Sequence, residues 1–201
     1  MKSALLAILV AIAVVAASLL AFYPQQTSGT NSAPNSGSLK GIPPFEDVAQ
    51  KVSLGQLSTH WTSQGYSMYV PTGLPNKLSL VSVYAEFGNG SVGNTAILVY
   101  SNTGDGSPES AELTIEVTPA TSIPFRVEDT ATQRFTSING WSAFIDTQAP
   151  VSWAQYYVKY GTNQAKLVDV YVGGLNYEFV ASPSINLPDL TGIVMSMAPV
   201  S

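Results

Sequence analysis

The sequence predicts an α+β fold: a mostly antiparallel, curved β-sheet with a short N-terminal and a C-terminal helix packed on it, preceded by one transmembrane helix. Three observations predict it. From Tyr66 onward apolar residues recur with period two, as where Leu113, Ile115 and Val117 alternate with Glu112, Thr114 and Glu116, which gives a strand one dry and one wet face. Asn139-Gly140 and Gly173-Gly174 join such runs through two residues that tolerate positive φ, the signal of tight hairpins. Near the end Leu190, Ile193, Val194 and Met197 form a stripe at helical spacing and lay that helix on the sheet.

The chain opens on Ser3 to Tyr23, SALLAILVAIAVVAASLLAFY, with Ser18 as its one internal polar residue. As a helix it reaches ~30 Å, about the hydrocarbon thickness of a bilayer. A cleaved leader has a shorter apolar region, ~7–15 residues, ending in a small-x-small site. Val15-Ala16-Ala17 offers such a site, but the run continues through Leu19, Leu20 and Phe22, so an uncleaved anchor is the expectation. Lys2-Ser3 also looks like the processing site of archaeal type IV pilin precursors, whose helix is retained and packs into a filament. Lys2 precedes the run and no charge follows it before Lys40, which places the N-terminus in the cytoplasm. Residues 24–201 are thus expected outside the membrane.

Residues 24–42 form a linker. Pro24 to Ser38 reads PQQTSGTNSAPNSGS, with nothing large and apolar to bury, and as a coil it holds the following domain ~20 Å from the membrane. Residues 43–201 form that single domain. Phe45, Val48, Ala49 and Val52 recur at i, i+3, i+4 and i+7 behind Pro44, predicting a short helix over 44–53. His60 then falls in a polar loop beside a packing Trp61. Strands follow at 66–70, 77–87, 95–101, 111–119 and from 132 to 138, then 141–147, 165–172 and 175–181. The closing helix covers 188–197, capped by Asn186, with Pro188 and Asp189 in its first turn.

Composition excludes several functions. With no cysteine among 201 residues, disulfides, thiolate metal sites and cysteine nucleophiles are absent. Eight basic residues, a formal net charge of −5 and a pI near 4.6 argue against nucleic acid. A Ser-His-Asp hydrolase has to use His60, and no Gly-x-Ser-x-Gly partners it. Gly88 to Gly93 matches GxGxxG, but a strand follows where a dinucleotide site needs a helix. That loop carries a glycosylation sequon at Asn89. Asp105 and Glu109 in the loop 102–110 fall short of a calcium loop, and Glu112 with Glu116 reads as a solvent-side pair rather than an acid-base couple. The sequence therefore gives no catalytic, metal or cofactor site. Its one candidate contact surface is the aromatic passage Trp153, Tyr156, Tyr157 and Tyr160, expected as strand or exposed rim.

Tyr69-Val-Pro-Thr-Gly-Leu-Pro75, the turn Ile138-Asn139-Gly140-Trp141, Tyr177-Glu-Phe-Val180 and a closing helix ending Met195-Ser196-Met197 carry a resemblance. Over about residues 66–198 the chain is similar to the extracytoplasmic domain of unknown function found in anti-sigma factors and envelope lipoproteins, related to the lipoprotein-carrier and sigma-E-regulator half-barrels. No zinc-binding helical domain stands before the apolar stretch, so transcriptional regulation is not implied. What the resemblance implies is a curved sheet whose concave face takes a lipid, a peptide or another protein. The expected function is a membrane-anchored, extracytoplasmic, non-catalytic binding module, an accessory subunit of an envelope complex whose partner is an unknown envelope protein or lipid. The alternatives are a pilin-like or surface-layer subunit and a carboxylate-dependent hydrolase, the last of which requires a deep pocket with two acids close together.

Overall fold

The computed structural model describes residues 49–75, 77–87, 94–123 and 131–200. The apolar stretch Ser3–Tyr23, the linker 24–42, Asn89 with its loop, and residues 44–48 and 125–130 lie outside the described residues. Among those described, no helix is long and apolar enough to cross a membrane. In chain order the elements are β1 (Gln50–Lys51), α1 (Leu54–Ser63), β2 (Tyr69–Pro71), β3 (Ser79–Phe87), β4 (Asn94–Ser101), β5 (Leu113–Pro119), β6 (Gln133–Ile138), β7 (Trp141–Pro150), α2 (Ala154–Tyr160), β8 (Gln164–Val172), β9 (Leu175–Ala181), α3 (Leu187–Met195) and β10 (Met197–Pro199). Eight strands make one antiparallel sheet in the order β1-β3-β4-β5-β9-β8-β7-β6, and β2 pairs with β10 in a small ribbon. The expected antiparallel α+β architecture is present.

Two adjacent registers show how alternation organises the sheet. Val83, Leu98, Ile115, Phe179, Val168 and Ile145 stand opposite one another across six strands, each at most 4% exposed. Fully burying each such side chain contributes ~1.5–3 kcal/mol. One residue along, on the other face, the row reads Tyr84, Ile97, Glu116, Glu178, Asp169 and Phe144. The apolar face is filled by Leu57 and Trp61 of α1, by Leu190, Ile193 and Val194 of α3, and by Met68 and Met197 beside the ribbon. That face is therefore covered by the protein's own core.

The hairpins follow their turn residues. Asn139 and Gly140 adopt φ of 54° and 80°, Gly173 and Gly174 φ of 65° and 83°. Gly173 is also a point of close approach, since Ser67 donates its N–H to the Gly173 carbonyl at 3.0 Å.

Several expectations are corrected. The helix placed at 44–53 does not include Gln50–Lys51, which pair with Ala85 and Tyr84 as β1. The first described helix instead starts after Ser53, whose hydroxyl accepts from Gln56 N–H while the Gln56 side chain accepts from Ser53 N–H. This capping box satisfies two otherwise orphaned donors and places Leu57 and Trp61 on the buried side. His60 consequently lies in a helix rather than a loop. The C-terminal helix ends at Met195, because Ser196 turns its hydroxyl back to the Ile193 carbonyl at 2.7 Å and accepts from Gly73 N–H at 2.9 Å. Met197 then enters β10. The second sheet face is not uniformly wet: Glu112 and Thr114 are buried, and Ile97, Val99 and Ala111 form a second apolar cluster with Val81 and Tyr84.

Candidate interaction surface

The passage expected as strand or rim is the helix α2. Ala154, Gln155 and Lys159 favour a helix, and Gly161 ends it with φ of 68°, donating its N–H to the Tyr157 carbonyl at 2.8 Å. A residue at this C-terminal position needs positive φ, which glycine adopts without steric cost.

Helical spacing then divides the four aromatic residues. Tyr156 and Tyr160, four apart, share a side, with ring centroids 4.7 Å apart. Tyr156 is buried, and its hydroxyl donates to the Gln164 carbonyl at 3.3 Å. Tyr160 donates to the carbonyls of Ser110 and Ala111 at 3.0 and 3.1 Å. Lys159 donates to the Ser110 carbonyl at 2.6 Å and to Glu112 Oε1 at 3.1 Å, with Asp105 at 3.9 Å. These bonds clamp the helix to the protein. Tyr157 and Val158 point the other way and are 53% and 84% exposed. Trp153, half-buried, stands at the rim of a groove of about 150 Å³ lined by Pro150, Leu167, Glu178 and Val180.

The aromatic surface is thus half structural and half displayed. Tyr156 and Tyr160 hold α2 in place, whereas Tyr157 and Trp153 remain at the surface. Val158 and the Lys159–Glu112 pair were not anticipated; the i, i+4 tyrosines followed by Gly161 were the signal for the helix that creates them.

Charge at this site is fixed by its contacts. For Glu112, burial favours the neutral form, but hydrogen bonds from Ser101 and Lys159 and the Lys159 charge outweigh it and hold the carboxyl below its usual range. For Asp105, the Ser110 hydroxyl and the Ser107 N–H do the same. A second cleft, of about 120 Å³, brings Glu112 and Asp189 together with Asn102 and Ser184. Both hollows are below the ~300–1,000 Å³ usual for small-molecule sites. Glu112 is ionised and bonded to Lys159 and to Asn102 N–H, so it holds no proton to donate at neutral pH.

His60 is apart from these acids. It contacts Gln64, Asn94 and the Phe87 ring. The expected solvent-side pair is separated as well: Glu112 joins the α2 clamp, while Glu116 stands opposite Glu178, itself opposite Asp169. Among the described residues no group of three or more His, Cys, Asp or Glu side chains is arranged to hold a metal ion. In the loop 102–110, Asp105 accepts from Ser107 N–H and from the Ser110 hydroxyl, an internal fastening of the loop. Comparison with known family models, with curated proteins and with solved structures returned no match.

Proposed function

We propose that this chain is a membrane-anchored, extracytoplasmic binding module without catalytic activity, held at the membrane by Ser3–Tyr23 and recognising another envelope protein through α2. The observation that carries this reading is the pairing of a firmly clamped helix with two large side chains left in solvent, Tyr157 and Val158. Displayed aromatic and aliphatic groups on a rigid support lose little freedom on binding, the condition for an interface anchor. Charge favours a protein over an anionic lipid surface: the chain has a formal net charge of −5 with eight basic residues, Glu178 lines the neighbouring groove, and Lys159 is tied to Glu112. Polybasic segments are what anionic lipid attracts.

The resemblance to envelope half-barrel domains supports the same placement. The experiment is affinity capture from detergent-solubilised membranes, comparing the natural chain with Tyr157→Ser/Val158→Ser at equal abundance and equal melting temperature. Loss of a co-purifying protein in the double variant supports the reading, and an unchanged set of co-purifying proteins overturns it.

A further inference from the structure

We propose that the outer edge of β6 pairs antiparallel with β6 of a second copy of this chain, joining the two sheets edge to edge. The sheet order ends on β6, whose one strand neighbour among the described residues is β7. β6 is six residues long, and Arg134, Phe135, Thr136 and Ser137 are all exposed. It contains no proline and no register shift, two of the devices that keep an edge from recruiting another strand. The opposite side of the sheet is blunted. There β1 is two residues long and ends in Lys51, and β3 behind it shifts register between Leu80 and Ser82.

Hydrogen-bond parity identifies the groups that β6 offers. The Thr132 carbonyl accepts from Thr147 N–H at 3.0 Å, so Thr132 faces β7. Along an antiparallel strand, residues bonded to one neighbour alternate with residues whose N–H and C=O point the other way. Arg134, Thr136 and Ile138 therefore share the bonding side of Thr132, and Gln133, Phe135 and Ser137 turn their backbone groups outward.

The order of residues makes a second copy the matching occupant. Gln133-Arg134-Phe135-Thr136-Ser137 has a polar pair on each side of one Phe, so a two-fold axis at Phe135 sets Phe135 against Phe135, Gln133 against Ser137 and Arg134 against Thr136. Every outward N–H then meets an outward C=O, and the surface is isologous. Phe135 and Phe144 have ring centroids 5.1 Å apart, so the pairing extends that aromatic row across the axis, where cross-strand aromatic pairs are favourable. Register is specified as well. Sliding the copies by one strand period in one direction sets Arg134 against Arg134, a like-charge pair, and in the other sets Phe135 against Ser137 and leaves Gln133 without a strand partner. A contact confined to one short strand per copy belongs with the small, transient interfaces. The proposal uses no residue of α2 and stands apart from the α2 reading.

Disulfide trapping tests it, because the chain has no cysteine of its own. Arg134→Cys and Thr136→Cys are introduced into separate copies of the full-length chain, purified in detergent, and oxidised alone or mixed. Only side chains directly opposite lie within disulfide reach, so the mixed species should form about tenfold faster than either homodimer. Two further substitutions, each added to both copies, should reduce that cross-link by about tenfold while thermal unfolding stays cooperative: Ser137→Pro, which removes an outward N–H without touching the β7 ladder, and Phe135→Lys, which sets like charges across the axis. Equal rates for mixed and single species, no cross-link at all, or a cross-link indifferent to both added substitutions would each overturn the proposal.

Discussion

Lys159 and Glu112 are forty-seven residues apart in sequence and meet at 3.1 Å, while the second Glu112 oxygen accepts from Asn102 N–H at 3.2 Å. The Glu112 side chain is 8% exposed and that of Lys159 31%, so the pair joins α2 to the start of β5 at a partly dry site. Removing one partner costs more than neutralising the other in place, because a buried charge left alone keeps its desolvation penalty. Lys159→Met should lower the unfolding free energy by about 1–3 kcal/mol, and Glu112→Gln, which retains an acceptor of the same shape, by less. Urea denaturation of the two variants beside the natural chain measures both.

The same contacts set an acid dependence. Glu112 is held below its usual value by bonds that overcome its burial, and Asp105 by its bonds to Ser110 and Ser107. A carboxyl depressed in the folded state contributes stability above its unfolded value, ~4.3 for Glu, and that contribution is lost as pH falls through the lower folded value. Melting temperatures of the natural chain should therefore decline below about pH 4, and the decline should be shallower in Glu112→Gln.

Two hairpin glycines separate backbone strain from steric clash. A Cβ on Gly173 would lie 2.3 Å from the Ser67 carbonyl oxygen, on a backbone with φ of 65°. Gly140 has φ of 80° and open space around it. Gly173→Ala should cost about 2–4 kcal/mol, from strain and overlap together, and Gly140→Ala about 1–2 kcal/mol from strain alone. Equal losses for the two would show that contact with Ser67 plays no part.

The aromatic residues of α2 should divide in the same way. Tyr156→Ala removes a ring that is 2% exposed and should cost about 3–5 kcal/mol. Tyr157→Ser and Val158→Ser should each stay within about 0.5 kcal/mol of the natural chain. Thermal unfolding of the three variants checks the assignment of support and display.

The strands were legible because alternation is local: Leu113, Ile115 and Val117 announce a dry face without knowledge of what covers it. The turns at Asn139-Gly140 and Gly173-Gly174 were legible because positive φ restricts which residues fit. Competition between signals overran the end of the first expected helix, since the spacing of Phe45 to Val52 runs on through Gln50–Lys51, which add a strand to β3. In α2 aromatic content suggested a strand, and the i, i+4 relation of Tyr156 and Tyr160 decided otherwise. The Lys159–Glu112 clamp could not be read in advance, because nothing local to either residue names a partner so distant in sequence. Half of the candidate surface was therefore visible as aromatic residues, and its division into buried and displayed sides was not.

A photo-reactive side chain placed at position 158 in intact cells tests the central claim most directly. An exterior recognition surface predicts a discrete cross-link to another envelope protein, diminished when Tyr157 is changed to Ser. Cross-links confined to cytosolic proteins, or none at all with the protein present in normal amount, would contradict it.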